Sequence, residues 1–375
     1  MTMTKTAGVI FGAIILALSL LLLSGLYTSA QAASRVVDIA CGQDPDQIIN
    51  NDPSGTTTAF VFATGCTHTF STTGVPKGGD QINCEQPAGV NVLFGSNHTQ
   101  EPTAYNPNPQ CFIKAASGVS NVLKPQGTFY MYGIDCQGGT YTGAGSGACL
   151  AEGAMSGRSW VEYVHIHNNQ GGGILNAHGV HHAIELSDNT TNSNALGVIG
   201  AGVKGVDEFN IQHSYVHNTQ GNGIWCDIHC NDQSDTPFQT AHFNSNLVVN
   251  NGRAGIRWER IGGPDHCGSD CSSDPGEGII ENNRVAGNGF NAVRGGIDIR
   301  DSQRAVVRNN IIGPQSVAGV SYGHNVNSIA VRVSDSGRSD RPDLWDIDVV
   351  NNDLISETIK DCELPDEVVF CSGNF

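Results

Sequence analysis

Between Gly171 and Ile329 the apolar and polar positions fall into one recurring phrase, in which a small polar turn runs into a Gly- or Ala-flanked aliphatic residue. The copies are Gly171-Gly-Gly-Ile174, Ala195-Leu-Gly-Val198, Gly221-Asn-Gly-Ile224, Arg253-Ala-Gly-Ile256, Arg294-Gly-Gly-Ile297 and Val326-Asn-Ser-Ile329. Their anchor residues lie 24, 26, 32, 41 and 32 positions apart, spacings that suit one coil of a β-solenoid plus inserted loops of variable length. An asparagine stands six residues before four consecutive anchors, at Asn168, Asn192, Asn218 and Asn250. Stacked amide on amide, such a column supplies the hydrogen bonds that a buried bend otherwise lacks. The pattern predicts an all-β, right-handed parallel β-helix with the anchors in one interior column.

Further β segments extend the pattern in both directions. Thr58 to Phe62 and Val90 to Phe94 flank the turn Val75-Pro-Lys-Gly-Gly-Asp80, and Gly127 to Ile134 and Trp160 to His167 lead into the regular repeats. Later coils are expected at Ala305 to Ile312 and Asp346 to Ile355. The segment Asp44 to Asp52 reads as a helical turn covering the first coil, a cover that solenoids need because their end faces are apolar. No Pro- or Ser-rich linker interrupts residues 33–375, which therefore read as a single domain with disulfide-pinned inserted loops.

Residues 1–32 are expected to be a signal peptide. Lys5 precedes an apolar run from Ala7 to Leu26, and Ala30-Gln-Ala32 offers a cleavage site; the alternative is a retained membrane anchor, since the run is long enough to span. The chain has 12 cysteines, most in near pairs: Cys41/Cys66, Cys84/Cys111, Cys136/Cys149, Cys226/Cys230, Cys267/Cys271 and Cys362/Cys371. An even count behind an export signal argues for disulfides in a secreted or extracytoplasmic protein, although spacing does not fix connectivity. The net charge of −17 disfavours nucleic acid and anionic membrane as partners. Abundant glycine (47 residues) with aliphatic residues throughout suits the tight turns of a solenoid rather than a disordered chain.

The phrase Phe60-Val-Phe-Ala-Thr-Gly65 followed by Val75-Pro-Lys-Gly-Gly-Asp80 resembles the opening coils of bacterial secreted right-handed β-helix proteins of the pectin-lyase-like superfamily. Gly223-Ile-Trp-Cys-Asp-Ile-His-Cys230 and the Asn-Asn repeats at Asn282 and Asn309 carry the same likeness, which spans most of residues 55–355. The resemblance implies the fold and a polysaccharide or cell-surface glycan as partner, but not a reaction, because such folds host lyases, hydrolases, epimerases and non-enzymes. The Asn-Thr-Asp, Asp-Asp and Gly-His-Gly series of polygalacturonase-like hydrolases is absent, with only isolated Asp298 and His178-Gly179 present. The Arg-x-Pro-x-x-Arg element of pectate-lyase-like enzymes is also absent. So is the Asp-Pro-His-Asp of alginate-epimerase-like proteins, for which Pro264-Asp-His266 is the nearest string.

If each anchor points inward, period-two alternation sends the residues one and three places later outward. The first outward column then reads Leu175, Ile199, Trp225, Arg257, Asp298, Ala330, and the second Ala177, Ala201, Asp227, Glu259, Arg300, Arg332. At roughly 4.8 Å per coil, Trp225, Asp227, Arg257, Glu259, Asp298, Arg300 and Arg332 converge on one patch. Asp227, Glu259, Asp298, Arg257 and Arg300 are the candidate catalytic residues, and Trp225, Arg332 and His229 the candidate substrate contacts. Carboxylates serve proton transfer, arginines hold substrate carboxylates or sulfates, and an indole faces a sugar ring. Stacked like charges at Asp227/Glu259 and Arg300/Arg332 cost stability unless something offsets them. Glu259→Gln and Asp227→Asn are therefore expected to abolish activity without lowering stability. The competing interpretation is a solvated ladder, with Arg257 over Asp298 and Glu259 over Arg300 as ordinary ion-pair rungs.

No cofactor is required by this reading. A metal site built from Cys226, Cys230, Cys267 and Cys271 with His229 and His266 competes with two small disulfides. Calcium is the alternative ion, with Asp265, Asp270, Asp274 and Glu277 as oxygen donors in a loop whose spacing matches no known calcium motif. Histidines gather at His165, His167, His181, His182, His213 and His217, and His167 and His217 are expected to project outward from the neighbouring sheet, where they can act as acid or base. Asn97-His-Thr and Asn189-Thr-Thr match the glycosylation acceptor pattern. The function expected is an exported carbohydrate-active protein that cleaves a polysaccharide by lyase or hydrolase chemistry; the alternative is a non-catalytic glycan-binding solenoid.

Overall fold

A computed structural model describes residues 33–53, 55–85, 111–143, 145–152, 157–190, 201–227, 230, 241–259, 278–291, 294–335, 345–360 and 369–375. All of them belong to one compact unit, Ala33–Glu85 with Gln100–Phe375. The expected β segment at Val90 to Phe94 and the signal peptide lie outside the described residues.

Almost every strand pairs in parallel with the strand one coil away, and each full coil contributes to three faces, called sheets below, of which the first two are joined into one 18-stranded sheet by the long strands Ile174–His182 and Ala201–Gln212. The anchor sheet holds Leu150–Ala151, the first half of Ile174–His182, and then Asn222–Asp227, Ile256–Glu259, Ile297–Arg300 and Ile329–Ser334. A second sheet runs from Arg35–Ile39 through His242–Asn244, Gly278–Glu281 and Gln303–Arg308 to Val369–Ser372. The third is a separate 10-stranded sheet that includes Ile134–Gln137, His165–His167, Glu185–Ser187, Tyr215–His217 and Leu247–Val249. The fold is a right-handed parallel β-helix. The short helix Pro45–Asn50 covers the first coil with Ile49 buried, as expected from Asp44 to Asp52.

The interior columns show where the sequence repeat was misaligned. Ile174, Val203, Ile224, Ile256, Ile297 and Val331 occupy one register, so Val331 stands where Ile329 was expected and Val203 where Val198, which lies outside the described residues, was expected. Gly202-Val203 is itself a Gly-aliphatic copy, five residues beyond Gly197-Val198, and Ile329-Ala-Val331 offers two inward positions of equal quality. Trp258 is inward and fully buried, packed edge-on against Phe243. Space for its indole comes from Gly278, where a Cβ would stand 2.0 Å from the Trp258 ring.

The asparagine column exists, displaced by one residue. Asn168, Asn218 and Asn250 adopt left-handed backbone at φ 54°, and the buried rungs are the residues that follow or replace them: Asn169, Asn189, Thr219, Asn251, Asn288 and Asn325. Asn192 lies outside the described residues, and Asn189 takes its place. Asn288 shows the full set of bonds such a rung can make. Asn288 donates to Asn325 Oδ1 at 3.1 Å and to Val248 O at 3.0 Å, while its own oxygen accepts from the Asn251 backbone at 3.0 Å. A second ladder at another bend runs Asn246, Asn283, Asn310, Asn352, Asn374 with links of 2.9 to 3.0 Å. The first ladder ends on Glu357, whose carboxylate accepts from both the backbone and the side chain of Asn325 at 2.6 and 2.7 Å. Asn189, fully buried in its ladder, is not presented as a glycan acceptor.

Four disulfides match expected pairs: Cys41–Cys66, Cys84–Cys111, Cys136–Cys149 and Cys226–Cys230, with Cα separations of 6.0, 5.5, 5.9 and 5.5 Å. The last three are buried in the core rather than pinned to loops alone. Cys267, Cys271 and Cys362 lie outside the described residues.

Two outcomes test this description. Asn288→Ala should cost about 3 kcal/mol by stranding several buried backbone groups, whereas Asn250→Ala, which loses only tolerance of left-handed backbone, should cost about 1 kcal/mol; denaturant unfolding distinguishes them. Asp46 supplies the second. It accepts from Ser71 N, Ser71 Oγ, Thr72 N and Thr72 Oγ at 2.7 to 3.1 Å and ties the helix to the next coil. Burial alone would raise its pKa, but the bond from Thr72, the neighbouring Asp44 carboxyl and the bonds from Ser71 together outweigh burial and hold it below the ordinary carboxylate value. Its stabilisation is thus complete above an unfolded pKa of about 3.9 and is lost as pH falls through the depressed folded value. Amide exchange at Ser71 and Thr72 should rise with acidification over that range, and Asp46→Asn should abolish the pH dependence.

Candidate functional site

The outer face of the anchor sheet collects charge where strand register sets columns side by side. Its first column reads Leu175, Lys204, Trp225, Arg257, Asp298, Arg332. Its second reads Asp227, Glu259, Arg300, Ser334. The stacking of Trp225, Arg257 and Asp298, and of Asp227, Glu259 and Arg300, is as expected. Two positions differ. Lys204 replaces Ile199 because Val203 is the true anchor, and Arg332 stands beside Asp298, not over Arg300, because the last strand enters two residues later. The like-charge pair Arg300/Arg332 therefore does not form as a stacked rung. His229 lies outside the described residues.

Each carboxylate of the patch holds a cation. Lys204 Nζ lies 2.8 Å from Asp227 Oδ2, Arg294 Nη1 lies 3.0 Å from Asp298 Oδ2, and Arg257 Nη2 pairs with Glu259 Oε1. This cross-pairing offsets the repulsion between Asp227 and Glu259 on adjacent rungs. Trp225 does not offer a bare indole face: Lys204 Nζ sits 4.3 Å and the Arg257 guanidinium 5.4 Å from its ring centroid, in cation–π contact. Arg300 is more open, with Nε 3.5 Å from Asp301 Oδ2.

The patch is drier than a solvated ladder. Arg257 is 2% exposed, Glu259 5%, Trp225 5% and Asp298 fully buried. Several of its polar atoms have no hydrogen-bond partner among the described residues: Arg257 Nε and Nη1, Asp227 Oδ1, Asp298 Oδ1 and Trp225 Nε1. Burial pulls the Arg257 guanidinium below its ordinary pKa, against the opposing pull of Glu259 and Asp298. Arg253 is lowered likewise, by burial and then by Arg294. Lys204, Arg253 and Arg294 were not read from the sequence; the signal for Lys204 was the second Gly-aliphatic copy at Gly202-Val203.

The third sheet presents a second cluster on its outer face. Asp135, His165, Glu185 and Tyr215 form one column and Gln137, His167, Ser187 and His217 the next. His167 and His217 thus project from the neighbouring sheet as expected, while His181 is buried in the core against Glu152 at 3.0 Å. His165 Nδ1 and His167 Nε2 each lie 3.0 Å from an oxygen of Asp135, and His217 Nε2 lies 3.0 Å from Glu185 Oε1. Burial alone would raise the Asp135 pKa, but the bonds from His165 and His167 hold it below the ordinary range. Burial would lower that of His165, but Asp135 and Glu185 raise it. The signal for Asp135 and Glu185 lay in short polar-aliphatic-polar triplets, Asp135-Cys-Gln137, His165-Ile-His167, Glu185-Leu-Ser187 and Tyr215-Val-His217, each preceding a turn.

A thiolate metal site at Cys226 and Cys230 is excluded by their disulfide. His266 and the acidic loop Asp265, Asp270, Asp274 and Glu277, expected as calcium donors, lie outside the described residues.

No protein-family model matches the chain, and no curated protein is similar to it at a significant level. Solved structures similar in backbone course include the A-module of the mannuronan C-5 epimerase AlgE6 from Azotobacter vinelandii, at 12% identity over 88% of this chain and 93% of that one, with a TM-score of 0.39. The pectate lyase Pel9A is similar at 12% identity over 92% of this chain and 79% of that one, with a TM-score of 0.41. The catalytic domain of a GH87 α-1,3-glucanase is similar at 10% identity over 91% and 69% of the two chains, with a TM-score of 0.32. The coils described above are of the parallel β-helix kind that the resemblance to pectin-lyase-like proteins implies.

The buried Arg257–Glu259 pair changes one expectation. Glu259→Gln should lower stability by about 3 kcal/mol because it removes the carboxylate directly paired with a buried guanidinium and leaves only the Asp298 charge opposite it, while replacing both residues by methionine should be near neutral; chemical denaturation of the two variants checks this.

Proposed function

We propose that this protein is an extracytoplasmic carbohydrate-active enzyme, residues 33–375 forming one domain after removal of residues 1–32, that cleaves an acidic polysaccharide along the outer face of the anchor sheet. The observation that carries the reading is Arg257, 2% exposed, with two guanidinium nitrogens lacking a partner among the described residues. Buried donors of this kind are costly unless a ligand meets them. Around it stand Lys204, Arg253, Arg294, Arg300 and Arg332, which with Arg257 make six of the 19 lysines and arginines in a chain of net charge −17. Such a basic island suits uronate carboxylates or sulfates, whose paired oxygens match guanidinium geometry. The four disulfides support the compartment.

In β-elimination Arg257 neutralises the uronate carboxylate, which acidifies the neighbouring carbon-bound proton; a nearby base takes that proton, the carbon–carbon double bond forms as the glycosidic C–O bond breaks, and the leaving oxygen takes up a proton. Arg300 and Arg332 position the chain, Trp225 holds Lys204 and Arg257 in place, and Asp298 orients Arg294; His229, expected as a further contact, lies outside the described residues. In hydrolysis Asp227 and Glu259 are instead the acid and its partner; their pairing to Lys204 and Arg257 favours elimination. A non-catalytic glycan-binding solenoid is the second reading, favoured by the same observation that every carboxylate of the patch already holds a cation.

Incubation of the mature protein with acidic and neutral polysaccharides, followed by ultraviolet absorbance of unsaturated uronate and by reducing ends, tests both. Elimination on an acidic polymer is the expected outcome, with Arg257→Lys lowering kcat/KM by about 100-fold or more. Silence in both channels with retention on a glycan gel supports the binding module.

A further inference from the structure

The cluster on the third sheet is unused by the proposed groove, and we propose that Asp135, His165 and His167 form a binding site for a divalent first-row metal ion of the zinc type. Ligand atoms from the three residues lie within 4.8 Å of one another. Asp135 Oδ2 faces His165 Nδ1 and Asp135 Oδ1 faces His167 Nε2, each at 3.0 Å. An ion entering between them takes the place of the protons shared with Asp135: each imidazole ligates in its neutral form with its one proton on the other ring nitrogen, and only a proton in excess of that leaves to solvent. Two imidazoles and one carboxylate suit zinc and its neighbours rather than calcium or magnesium, which prefer oxygen alone.

The site is built on rigid elements. Asp135 lies on Ile134–Gln137 and both histidines on His165–His167, adjacent strands in direct register. Cys136, between the ligand Asp135 and Gln137, is fixed by its disulfide to Cys149. Asp135 is 6% exposed, so the carboxylate is held in place rather than sampling solvent. The imidazole nitrogens not facing Asp135 also have partners, the usual arrangement for ligating histidines. His165 Nε2 is 3.0 Å from Ser187 Oγ, and His167 Nδ1 is 2.7 Å from the Asn168 side-chain amide, which can present either its oxygen or its nitrogen. Glu185 is engaged by His217 at 3.0 Å and does not occupy the site. Three protein ligands leave a coordination position open for water or a substrate oxygen.

Equilibrium dialysis of chelator-treated mature protein against zinc and, separately, calcium, with bound metal measured by mass spectrometry, tests the site. The expected result is about one zinc per chain and no calcium at these residues. His167→Gln and Asp135→Asn should weaken zinc by about 100-fold or more, and Ser187→Ala by about 10-fold. His182→Gln, on another sheet, should leave binding unchanged. Cobalt(II) in place of zinc should give the visible absorption of a low-coordinate ion, lost in His167→Gln. Should Asp135→Asn fail to fold, the half-buried His167 variant still decides. Wild-type protein that retains no zinc, or a His167→Gln variant that retains wild-type zinc affinity and the cobalt spectrum, overturns the proposal and leaves the cluster as a hydrogen-bonded ladder.

Discussion

Everything in this fold depends on supplying hydrogen bonds to backbone that turns inside a dry core. A coil that bends at each change of sheet exposes N–H and C=O groups at places where no neighbouring strand can pair with them. The asparagine ladders resolve this by giving each bend one side chain that accepts from the coil before and donates to the coil after. Because most rungs follow a residue in left-handed backbone, the bends favour Asn, Asp or Gly there, with Ser245 also found and His324 before Asn325 the exception. Gly287 is the clearest instance, since a Cβ at that position would stand 2.3 Å from Asn250 Oδ1. With the bends fixed, every strand falls into register, and register decides which charges meet.

The charged patch and the histidine cluster are two products of the same stacking. On the anchor sheet the columns bring like charges together, and lysine and arginine from adjacent positions compensate them, with buried nitrogens left over. On the third sheet the columns bring a carboxylate against two imidazoles with little left over. The first arrangement is suited to holding an anionic chain, the second to a compact ion. The two faces therefore differ in what would complete them, although both are laid out by the same coil repeat.

Much of the fold was legible in the sequence because inward aliphatic positions and cysteine pairs repeat with the coil. The errors were small shifts with large consequences. Reading Asn168, Asn218 and Asn250 as rungs, when Asn169, Thr219 and Asn251 fill them, mistakes the residue that makes the turn for the one that satisfies it. Choosing Val198 over Val203 hid Lys204, and choosing Ile329 over Val331 moved Arg332 to the wrong column. A period-two strand turns any such slip into a change of face or neighbour. Room for Trp258 in the core could not be read locally, because the vacancy that receives it is made by Gly278, a residue one strand away that no sequence pattern links to it.

Glu357 gives the first ladder a direction. From Asn169, Asn251, Asn288 and Asn325 the amide nitrogen donates toward the C-terminal coil, and at Thr219 the backbone N–H does the same, so these hydrogen bonds point one way. An asparagine can receive and pass on; an ionised carboxylate can only receive. Placing Glu357 after Asn325 therefore terminates the relay at the C-terminal end, and burial there pushes its carboxyl pKa up. A further coil, whether from this chain or from another copy, would meet no donor at that bend. The second ladder, by contrast, runs on to Asn374 and ends on a group that still donates, to Val349 O.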